Sequence, residues 1–384
     1  MGMASENNRR EEKQTEQEKQ VWVVKIGSAM ITNDGQGVDP ERIHHWCSQI
    51  SKLQAEGIDV VVVSSGAVAE GMKLLQWEER PQFLNELQAA ASVGQSSLVN
   101  AWMKGFNAFD LNVGQILLTH EDASDRKRYL NIKNTIHTLI DYKAIPIINE
   151  NDTVSFSEIK FGDNDTLGAL VASLIEADVY IILTDQEGVY ESDPRKNPDA
   201  KMIEEADAHD ERLLSMVTSE GGRFGTGGMY TKIMASHIAA TSGTTTYIVK
   251  GDRENALLGI ARGERIGTKL NADGTRLTAK KRWMLGQKQI KGRIVIDGGA
   301  VKALLKDGKS LLPIGVLSVE GAFDRGDIIL CLDQEGREIG RGLTNYHAME
   351  VESILRTPSH EIVNKLGYII TDELIHRNNW VETQ

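Results

Sequence analysis

The chain has 384 residues, 40% of them hydrophobic, which is enough to bury the cores of two or three domains. Its formal net charge of −12 argues against non-specific binding to nucleic acid or to an anionic membrane as its main task. No apolar run is long enough for a transmembrane helix, and Cys47 and Cys331 form no CxxC pattern. We therefore expect buried thiols in a reducing, cytoplasmic location rather than a disulfide or a zinc site.

The first 20 residues carry many charges and no apolar run. Five acidic and four basic residues nearly cancel. A secretory signal peptide requires an apolar segment, which is missing here. We therefore predict a disordered tail over residues 1–20.

Residues 21–262 alternate short apolar runs with helical periodicity. The strand candidates are, in chain order, VWVV (21–24), IDVVVV (58–63), VGQILLT (113–119), AIPIIN (144–149), VYIILTD (179–185) and TTYIVKG (245–251). Apolar residues at helical spacing predict one helix after Pro40 and another over Leu167 to Ile175. Strands alternating with helices predict βαβ units around a mainly parallel sheet, with ligands at the carboxyl ends of the strands.

The pattern changes after residue 262. Residues 263–288 are polar and predict a linker. From residue 289 onward, four segments predict short strands separated by Gly/Asp turns, with one helical piece near 345–357. These segments are KGRIVIDGGAV, LLPIGVLSVEG, GDIILCLDQEGREIGRGLT and GYIITDELIH. We therefore predict a small β-rich domain over residues 289–384.

The first two predicted strands end in candidate anion sites. Lys25 lies near the end of the first strand, just before Gly27. A lone Lys-x-Gly is typical of a lysine whose ammonium reaches water, and the alternative is an ammonium directed at a phosphate. After the second strand, Ser64 to Ala67 form a small-residue turn into a helix. Its backbone N–H groups favour an anion there, and a plain serine N-cap is the alternative.

Polar residues cluster after the fourth predicted strand. Asn149 to Thr153 follow it directly, and Gly162 to Asp165 come a few residues later. Such residues form turns and caps, and Asp165 is placed to cap the following helix. Capping needs a single residue, however, whereas the two clusters hold three aspartates and three asparagines. This density suits a small substrate that carries both an ammonium and a carboxylate group.

Two later segments favour a nucleotide. VYIILTD ends in Thr184 and Asp185, and GTGGMYTK (225–232) is a glycine loop that enters a helix with Lys232 in its first turns. A glycine loop before a helix N-terminus, with a lysine, has the features of a phosphate cradle, and a glycine-rich surface loop is the alternative. DGKS (307–310) lacks the first glycine and the strand-loop-helix context of a P-loop.

These candidates share one chemistry if they lie at one edge of the sheet. Two lysines, Lys25 and Lys232, and two small-residue turns would then converge. Phosphoryl transfer requires positive charge over the transferred group, aligned oxygens and a metal, with little covalent chemistry from the protein. The sequence therefore favours a phosphoryl-transfer site.

An ordered set of motifs resembles the amino-acid kinase family. The motifs are VVKIGS, VVVSSGAVAEG, PIINENDTV, KFGDND, ILTDQEGVYESDPR and GTGGMYTK. The resemblance implies an α/β fold for residues 21–262, a three-layer sandwich around a mainly parallel sheet. Residues 289–384 resemble a PUA domain, so the resemblance extends over nearly all of the chain from residue 21.

The resemblance also implies an activity. It is ATP-dependent phosphorylation of the side-chain carboxylate of L-glutamate to L-glutamyl 5-phosphate, the first step of proline biosynthesis. ATP and Mg²⁺ are implied, and no protein side chain is assigned to the metal. Such relatives are commonly inhibited by proline and form homodimers or homotetramers, and we expect both properties here. A carboxylate is already ionised near pH 7, so the reaction needs no strong general base.

The matching positions carry the implied roles. Lys25 and Lys232 are expected to stabilise the transferring phosphoryl group. Asp165 is expected to hold both lysines, with Asp163 assisting at the same site. The expected glutamate-binding residues are Ser65, Asp152 and Asn164. The expected ATP-binding residues are Lys25, Thr184, Asp185, Thr226, Gly227, Gly228, Met229, Tyr230, Thr231 and Lys232.

Two alternatives stay open. Other members of the family phosphorylate N-acetylglutamate or aspartate, but the former would not be expected to carry a PUA-like module and the latter typically carry a different one. PUA-like domains also occur in RNA-modifying enzymes. Residues 287–384 contain 12 lysines and arginines and 14 acidic residues, whereas RNA-binding surfaces are more often basic. RNA binding is therefore kept as an alternative, and no membrane partner is expected.

Overall fold

A computed structural model of the chain describes residues 19–33, 35–119, 121–122, 126–154, 164–218, 228–272 and 290–383. The chain divides into two units, one of Met1–Ser124 and Ile132–Asp273 and the other of Asp125–Asn131 and Gly274–Gln384. Each unit has its own sheet and its own hydrophobic core.

The first unit is built around a large, mainly parallel sheet. The strands of this part of the chain are β1 (Gln20–Ile26), β2 (Ile58–Ser64), β3 (Val113–Leu118), β4 (Ile145–Glu150), β5 (Val179–Thr184), β6 (Val189–Tyr190), β7 (Met202–Ile203), β8 (Glu205–Asp207), β9 (Thr245–Lys250) and β10 (Thr268–Asn271). Within the described residues, β6 and β7 pair with each other and the other eight form one sheet, in the order β3-β4-β2-β1-β5-β9-β10-β8. Neighbouring strands are parallel except β9 and β10. The six predicted strands are confirmed, with ends shifted by at most two residues.

Helices connect most of these strands. They are α1 (Ser28–Ile31), α2 (Pro40–Ala55), α3 (Ala67–Leu74), α4 (Leu84–Asn107), α5 (Arg126–Asp141), α6 (Asn164–Ile175), α7 (Glu211–Thr218), α8 (Met229–Ala240) and α9 (Ala256–Ala261). Both predicted helices are confirmed, as α2 and α6. The α2 helix begins at a proline, and the Asp39 side chain accepts the Glu41 and Arg42 N–H groups at 3.0 and 3.2 Å, which satisfies two unpaired donors of its first turn.

The alternation of side chains along β1 divides them between two helical layers. Trp22 and Val24 belong to the same core as Trp46 of α2. Lys25 faces the other side, where its ammonium pairs with Asp165 of α6. Helices cover both faces of the sheet, so the predicted three-layer α/β fold is confirmed. Because β1, β2, β4 and β5 are all parallel, their carboxyl ends lie along one edge of the sheet.

The second unit is β-rich, as predicted. Its strands are β11 (Gly292–Ile296), β12 (Val316–Gly321), β13 (Ile328–Leu332), β14 (Glu338–Leu343) and β15 (Trp380–Glu382), and its helices are α10 (Gly298–Leu305), α11 (Ala348–Ser353) and α12 (Ile362–Leu366). Among the described residues these strands form one sheet in the order β12-β11-β13-β14-β15. Tyr346 and Cys331 are fully buried in its core.

The start of the predicted linker belongs to the first sheet, so the linker prediction was wrong there. β10 lies within 263–288 and pairs with β9 and β8. Its Thr268 is fully buried, and the Thr268 hydroxyl donates to the Ile203 carbonyl at 2.5 Å. The strand contains a buried polar side chain with a hydrogen-bond partner, so it lacks the apolar run by which a strand is predicted. Residues 273–289, like residues 1–18 of the predicted tail, lie outside the described residues.

The predicted strand over GYIITDELIH (367–376) is also wrong. Instead of pairing in a ladder, the backbone N–H groups of Ile370 and Thr371 approach the Tyr346 hydroxyl at 3.4 and 3.3 Å. A side-chain partner therefore replaces a neighbouring strand at these two residues. Further along the segment, backbone pairing is limited to an isolated bridge between Ile375 and Leu311. The last strand forms later, at Trp380–Glu382, where it pairs with β14.

Candidate active site

A polar cavity lies at the carboxyl ends of β1, β2, β4 and β5. Its volume is about 340 Å³. The lining includes residues from the ends of all four strands, as expected for a ligand site of a parallel sheet. The lining residues used below are Lys25, Ser65, Gly66, Ala67, Val68, Ala69, Arg80, Asn149, Glu150, Asp152, Asn164, Thr184, Asp185 and Lys232.

Two lysines share one carboxylate at the inner wall of this cavity. The Lys25 ammonium donates to one oxygen of Asp165, and the Lys232 ammonium donates to the other at 3.0 Å. The exposed fractions are 5% for Lys25, 4% for Lys232 and 0% for Asp165. Burial by itself raises the pKa of Asp165, but the two ammonium charges and their hydrogen bonds outweigh it and hold the pKa below its usual range. One carboxylate between two ammonium groups leaves one positive charge in excess.

Asp165 does not act as a helix cap. The α6 helix begins at Asn164, so Asp165 lies in its first turn, and its side chain is used by the lysines and by the Thr231 hydroxyl at 2.9 Å. The hydroxyl of Tyr180, on β5, donates to the Asp165 carbonyl at 2.7 Å and so attaches the start of the helix to the sheet. The capping prediction was therefore wrong, because a partner 140 residues away determines the role of this carboxylate.

A network of amides forms another wall of the cavity. The Asn164 side-chain NH₂ group lies 2.8 Å from the Ser64 carbonyl, 2.9 Å from the Ser65 hydroxyl and 2.8 Å from the Asn149 side-chain oxygen. The Asn149 NH₂ group in turn donates to Gln95 of α4 at 2.7 Å. Groups held by several hydrogen bonds are preorganised for a polar ligand.

The N-terminus of α3 opens into the same cavity. Its N-cap is Gly66, at φ 102°, and no side chain in the described part of the chain caps the helix. The predicted alternative of a serine N-cap is therefore wrong. Ala67, Val68 and Ala69 line the cavity at this end of the helix, where the first N–H groups have no partner within the helix. They and the helix dipole favour a bound anion.

A second cavity of about 240 Å³ adjoins the first. Its lining residues are Thr184, Asp185, Gln186, Gly188, Tyr190, Ser192, Asp193, Pro194, Arg195, Met216, Gly228, Met229 and Lys232. The two cavities share Thr184, Asp185 and Lys232. Burial raises the pKa of Asp185, but hydrogen bonds from Gln186 and Thr184, both at 3.0 Å, hold it below its usual range. Asp185 is therefore ionised at neutral pH.

Most residues predicted for the site come together. Lys25, Ser65, Asp152, Asn164, Thr184, Asp185 and Lys232 line the first cavity, and Gly228 and Met229 line the second. Thr231 contacts Asp165, whereas Tyr230 is 39% exposed and lines neither cavity. Asp163, Thr226 and Gly227 lie outside the described residues.

Several lining residues carried no predicted role. Asn149 and Glu150 belong to a polar cluster that was recognised, but no role was given to either of them. Arg80 follows two glutamates in a polar loop, where a charged residue is most often solvated, so nothing in the sequence marked it. The second cavity adds the segment from Ser192 to Arg195, which was quoted only as part of a motif.

The fold and the site define an enzyme that transfers phosphoryl groups, because two buried ammonium groups line the first cavity and one of them, that of Lys232, also lines the second. The chain belongs to the amino acid kinase family, whose model matches residues 20–250, and the model of the PUA domain matches residues 292–366.

Curated relatives cover nearly the whole chain. A protein of Nitrosospira multiformis named glutamate 5-kinase is 54% identical over 94% of this chain and 96% of its own length. A protein of Pseudomonas aeruginosa with the same name is 52% identical over 94% of this chain and 97% of its own length. Among solved structures, carbamate kinase from Giardia lamblia bound to AMP-PNP matches 67% of this chain and 100% of its own, with a TM-score of 0.50 and 19% identity. The last similarity concerns the fold alone.

Proposed function

We propose that the protein transfers the γ-phosphoryl group of ATP to the side-chain carboxylate of L-glutamate, giving L-glutamyl 5-phosphate and ADP for proline biosynthesis. Relatives named glutamate 5-kinase, 52–54% identical over 94% of the chain, support the substrate. The observation that carries the chemistry is the pair of buried lysines on Asp165, of which Lys232 lines both cavities.

The reaction balances without a protein base. An oxygen of the glutamate side chain forms a bond to the γ-phosphorus, and the bond from that phosphorus to the bridging oxygen of ATP breaks. The electron pair leaves with ADP, and no proton must be removed because the attacking carboxylate is ionised near pH 7. Lys25 and Lys232 place positive charge over the transferring group, where it stabilises the negative charge of the transition state.

Asp165 acts through the lysines. It holds both ammonium groups by hydrogen bonds, so it is a positioning residue that keeps two like charges close together. Asp163 is proposed to assist at the same place. That role comes from the family motif, since residue 163 lies outside the described residues.

The glutamate is proposed to occupy the first cavity. Ser65 and Asn164 lie in the amide network, and Asp152 lines the same cavity as an anion. Asp152 is suited to the α-ammonium group of the substrate. An N-acetylated substrate lacks that charge and is disfavoured at this position.

ATP is proposed to occupy the second cavity and the junction. Thr184, Asp185, Gly228 and Met229 line it, and Lys232 reaches the transferred phosphate. The proposal also includes Thr226, Gly227, Tyr230 and Thr231, which complete the family motif.

The residues present fit Mg²⁺ carried by the nucleotide. Among the described residues no cluster of three acidic, histidine or cysteine side chains forms a metal cage. Magnesium in kinases is held by phosphate oxygens, water and one or two carboxylates. Asp185, which is ionised and shared by both cavities, is the carboxylate that we propose would hold it. When bound, Mg²⁺ neutralises charge on the ATP phosphates.

We further propose that proline inhibits by competing for the first cavity, because it carries the same α-carboxylate and a similar charged nitrogen. A homodimer or homotetramer and a cytoplasmic location are proposed from the family. No helix in the described part of the chain is long and apolar enough to cross a membrane. RNA binding by residues 287–384 stays a less favoured alternative, because this range holds 14 acidic and 12 basic residues.

Acyl-phosphate formation tests the proposed function. The purified chain with ATP and Mg²⁺ is incubated with L-glutamate, N-acetyl-L-glutamate or L-aspartate, and the product is trapped with hydroxylamine. We expect hydroxamate from L-glutamate, little from the other two, and inhibition by added proline. Product from N-acetylglutamate or aspartate in place of glutamate would contradict the substrate, and no product from any of them would contradict the activity.

A further inference from the structure

Arg80 brings a positive charge to the first cavity. It lies in the loop between α3 and α4 and is among the residues that line the cavity. Lys25 and Lys232 are already bound to Asp165. No acceptor from the described part of the chain pairs with the Arg80 guanidinium, even though Glu78 and Glu79 precede it in the sequence. This side chain is therefore available to an anionic ligand.

The charges of the cavity can be matched with those of the proposed substrate. L-glutamate carries a reacting carboxylate, an α-ammonium group and an α-carboxylate. The reacting carboxylate must lie at Lys25 and Lys232, and the α-ammonium group suits the anion Asp152. The α-carboxylate then needs a cation, and Arg80 is the cation of the described lining that no other group occupies.

The position of Arg80 separates it from the nucleotide. It lines the first cavity but does not belong to the described lining of the second. The first cavity also contains the uncapped N-terminus of α3, whose N–H groups favour an anion. A guanidinium binds a carboxylate through two parallel hydrogen bonds, so a carboxylate of the substrate in this cavity is a suitable partner.

We propose that Arg80, together with the first N–H groups of α3, binds the α-carboxylate of the amino-acid substrate. This inference rests on the proposed function. It has a consequence for specificity, because one carboxylate is held at Arg80 while the other must reach the lysines. The distance between the two carboxylates is thereby selected, and aspartate, one methylene shorter, cannot satisfy both ends equally well.

The test compares a charge change in the substrate with one in the protein. Arg80→Gln removes the positive charge. Arg80→Lys keeps the charge but lacks the planar guanidinium group that can form two parallel hydrogen bonds. Lys104→Gln on α4 is the matched control, because Lys104 is exposed and lies outside the described lining of both cavities. Each variant is assayed with L-glutamate and with L-isoglutamine, which has an amide in place of the α-carboxylate.

We expect Arg80→Gln to raise the KM for L-glutamate roughly 10- to 100-fold, as for the loss of a charged hydrogen-bonded pair. The KM for ATP should stay unchanged. The preference for L-glutamate over L-isoglutamine, measured as the ratio of kcat/KM values, should fall by a similar factor. The KM of Arg80→Lys for L-glutamate should lie between those of the wild type and Arg80→Gln. Lys104→Gln should match the wild type in both measurements.

The outcomes separate this inference from the function on which it rests. If the wild type forms no acyl phosphate from L-glutamate, the proposed function fails. If the wild type is active but Arg80→Gln keeps both its KM for L-glutamate and its preference over L-isoglutamine, the Arg80 assignment is wrong. A rise in the KM for ATP without a change for L-glutamate would instead assign Arg80 to the nucleotide and would also overturn it.

Discussion

At the scale of single residues, Asp165 determines the charge of the site. Its carboxylate lies between two ammonium groups, and all three side chains are almost completely buried. Removing the carboxylate would leave two uncompensated cations close together in a medium of low dielectric. The carboxylate therefore allows two buried lysines to lie close together, as the proposed transfer of a phosphoryl group requires.

We predict that Asp165→Asn lowers the free energy of unfolding by about 3–5 kcal/mol at pH 7, the usual cost of breaking a buried ion pair. Urea unfolding of both proteins measures this. Asp252→Asn is a suitable control, because the Asp252 side chain is 56% exposed and its ion pair with Lys250 is long, at 3.7 Å. Exposed ion pairs contribute little, so the free energy of unfolding should change little in this variant. Equal unfolding midpoints for the two variants would contradict the role of Asp165.

The same carboxylate predicts a pH dependence. The pKa of Asp165 is lower in the folded protein than in the unfolded chain, so its ionised form contributes stability above the ordinary carboxyl pKa. That contribution falls as the pH drops through the folded pKa. We expect the stability difference between the wild type and Asp165→Asn to shrink as the pH is lowered from about 5 towards 2. A difference that grows on acidification would contradict the assignment.

At the scale of elements, two glycines determine how α3 packs against α4 and so position the N-terminus of α3. A Cβ atom at Gly71 would lie 1.7 Å from the Ala90 carbonyl oxygen, and one at Gly94 would lie 1.9 Å from the Ala67 carbonyl oxygen. Helices α3 and α4 therefore touch through their backbones. Since Ala67 begins α3, this contact sets the position of the N–H groups that line the first cavity.

We predict that Gly94→Ala costs about 1–3 kcal/mol of stability, because α4 must move away from α3. The KM for glutamate should rise as well, since the N-terminus of α3 shifts with its helix. Thermal unfolding and steady-state kinetics measure both effects. Ser96→Ala, an exposed change on the same helix, is the control and should leave both values near those of the wild type. An unchanged KM in Gly94→Ala would show that α3 does not bind substrate.

The strands differ in how well the sequence predicts them. Buried parallel strands are continuous apolar runs, so β1, β2, β4, β5 and β9 were predicted. The β10 strand is polar at Thr268 and Asn271, and it depends on partners distant in sequence, so no local pattern marked it. The segment 367–376 was predicted as a strand, but the Tyr346 hydroxyl accepts two of its backbone N–H groups, those of Ile370 and Thr371.

The residues of the site also divide into those that the sequence predicts and those that only the fold brings together. The motifs around Lys25 and Lys232 pointed to phosphate, and the family resemblance led us to expect that Asp165 holds both lysines. No local pattern indicates that link, because it depends on contacts over 140 and 67 residues. Arg80 could not be predicted, because a charged residue in a polar loop is typical of solvated surface. Only the folded cavity distinguishes it from its neighbours.

At the scale of the whole molecule, the described residues that line both cavities belong to the first unit. The second unit has a separate sheet and core. We predict that a chain ending at residue 272 folds and forms acyl phosphate at a rate similar to that of the full chain. Circular dichroism and the hydroxylamine assay measure this. A folded but inactive truncated protein would mean that the second unit supplies a group that the reaction needs.

The most direct measurement of the central claim is a single turnover with [γ-³²P]ATP and L-glutamate, comparing the wild type with Lys232→Ala, with nucleotide binding measured separately by calorimetry. We predict that label moves from ATP to a hydroxylamine-sensitive product in the wild type. In Lys232→Ala the transfer should slow about a hundredfold or more, as when one charge-stabilising donor is lost, while the nucleotide still binds. Transfer at the wild-type rate in Lys232→Ala, or label released only as inorganic phosphate by the wild type, would contradict the account.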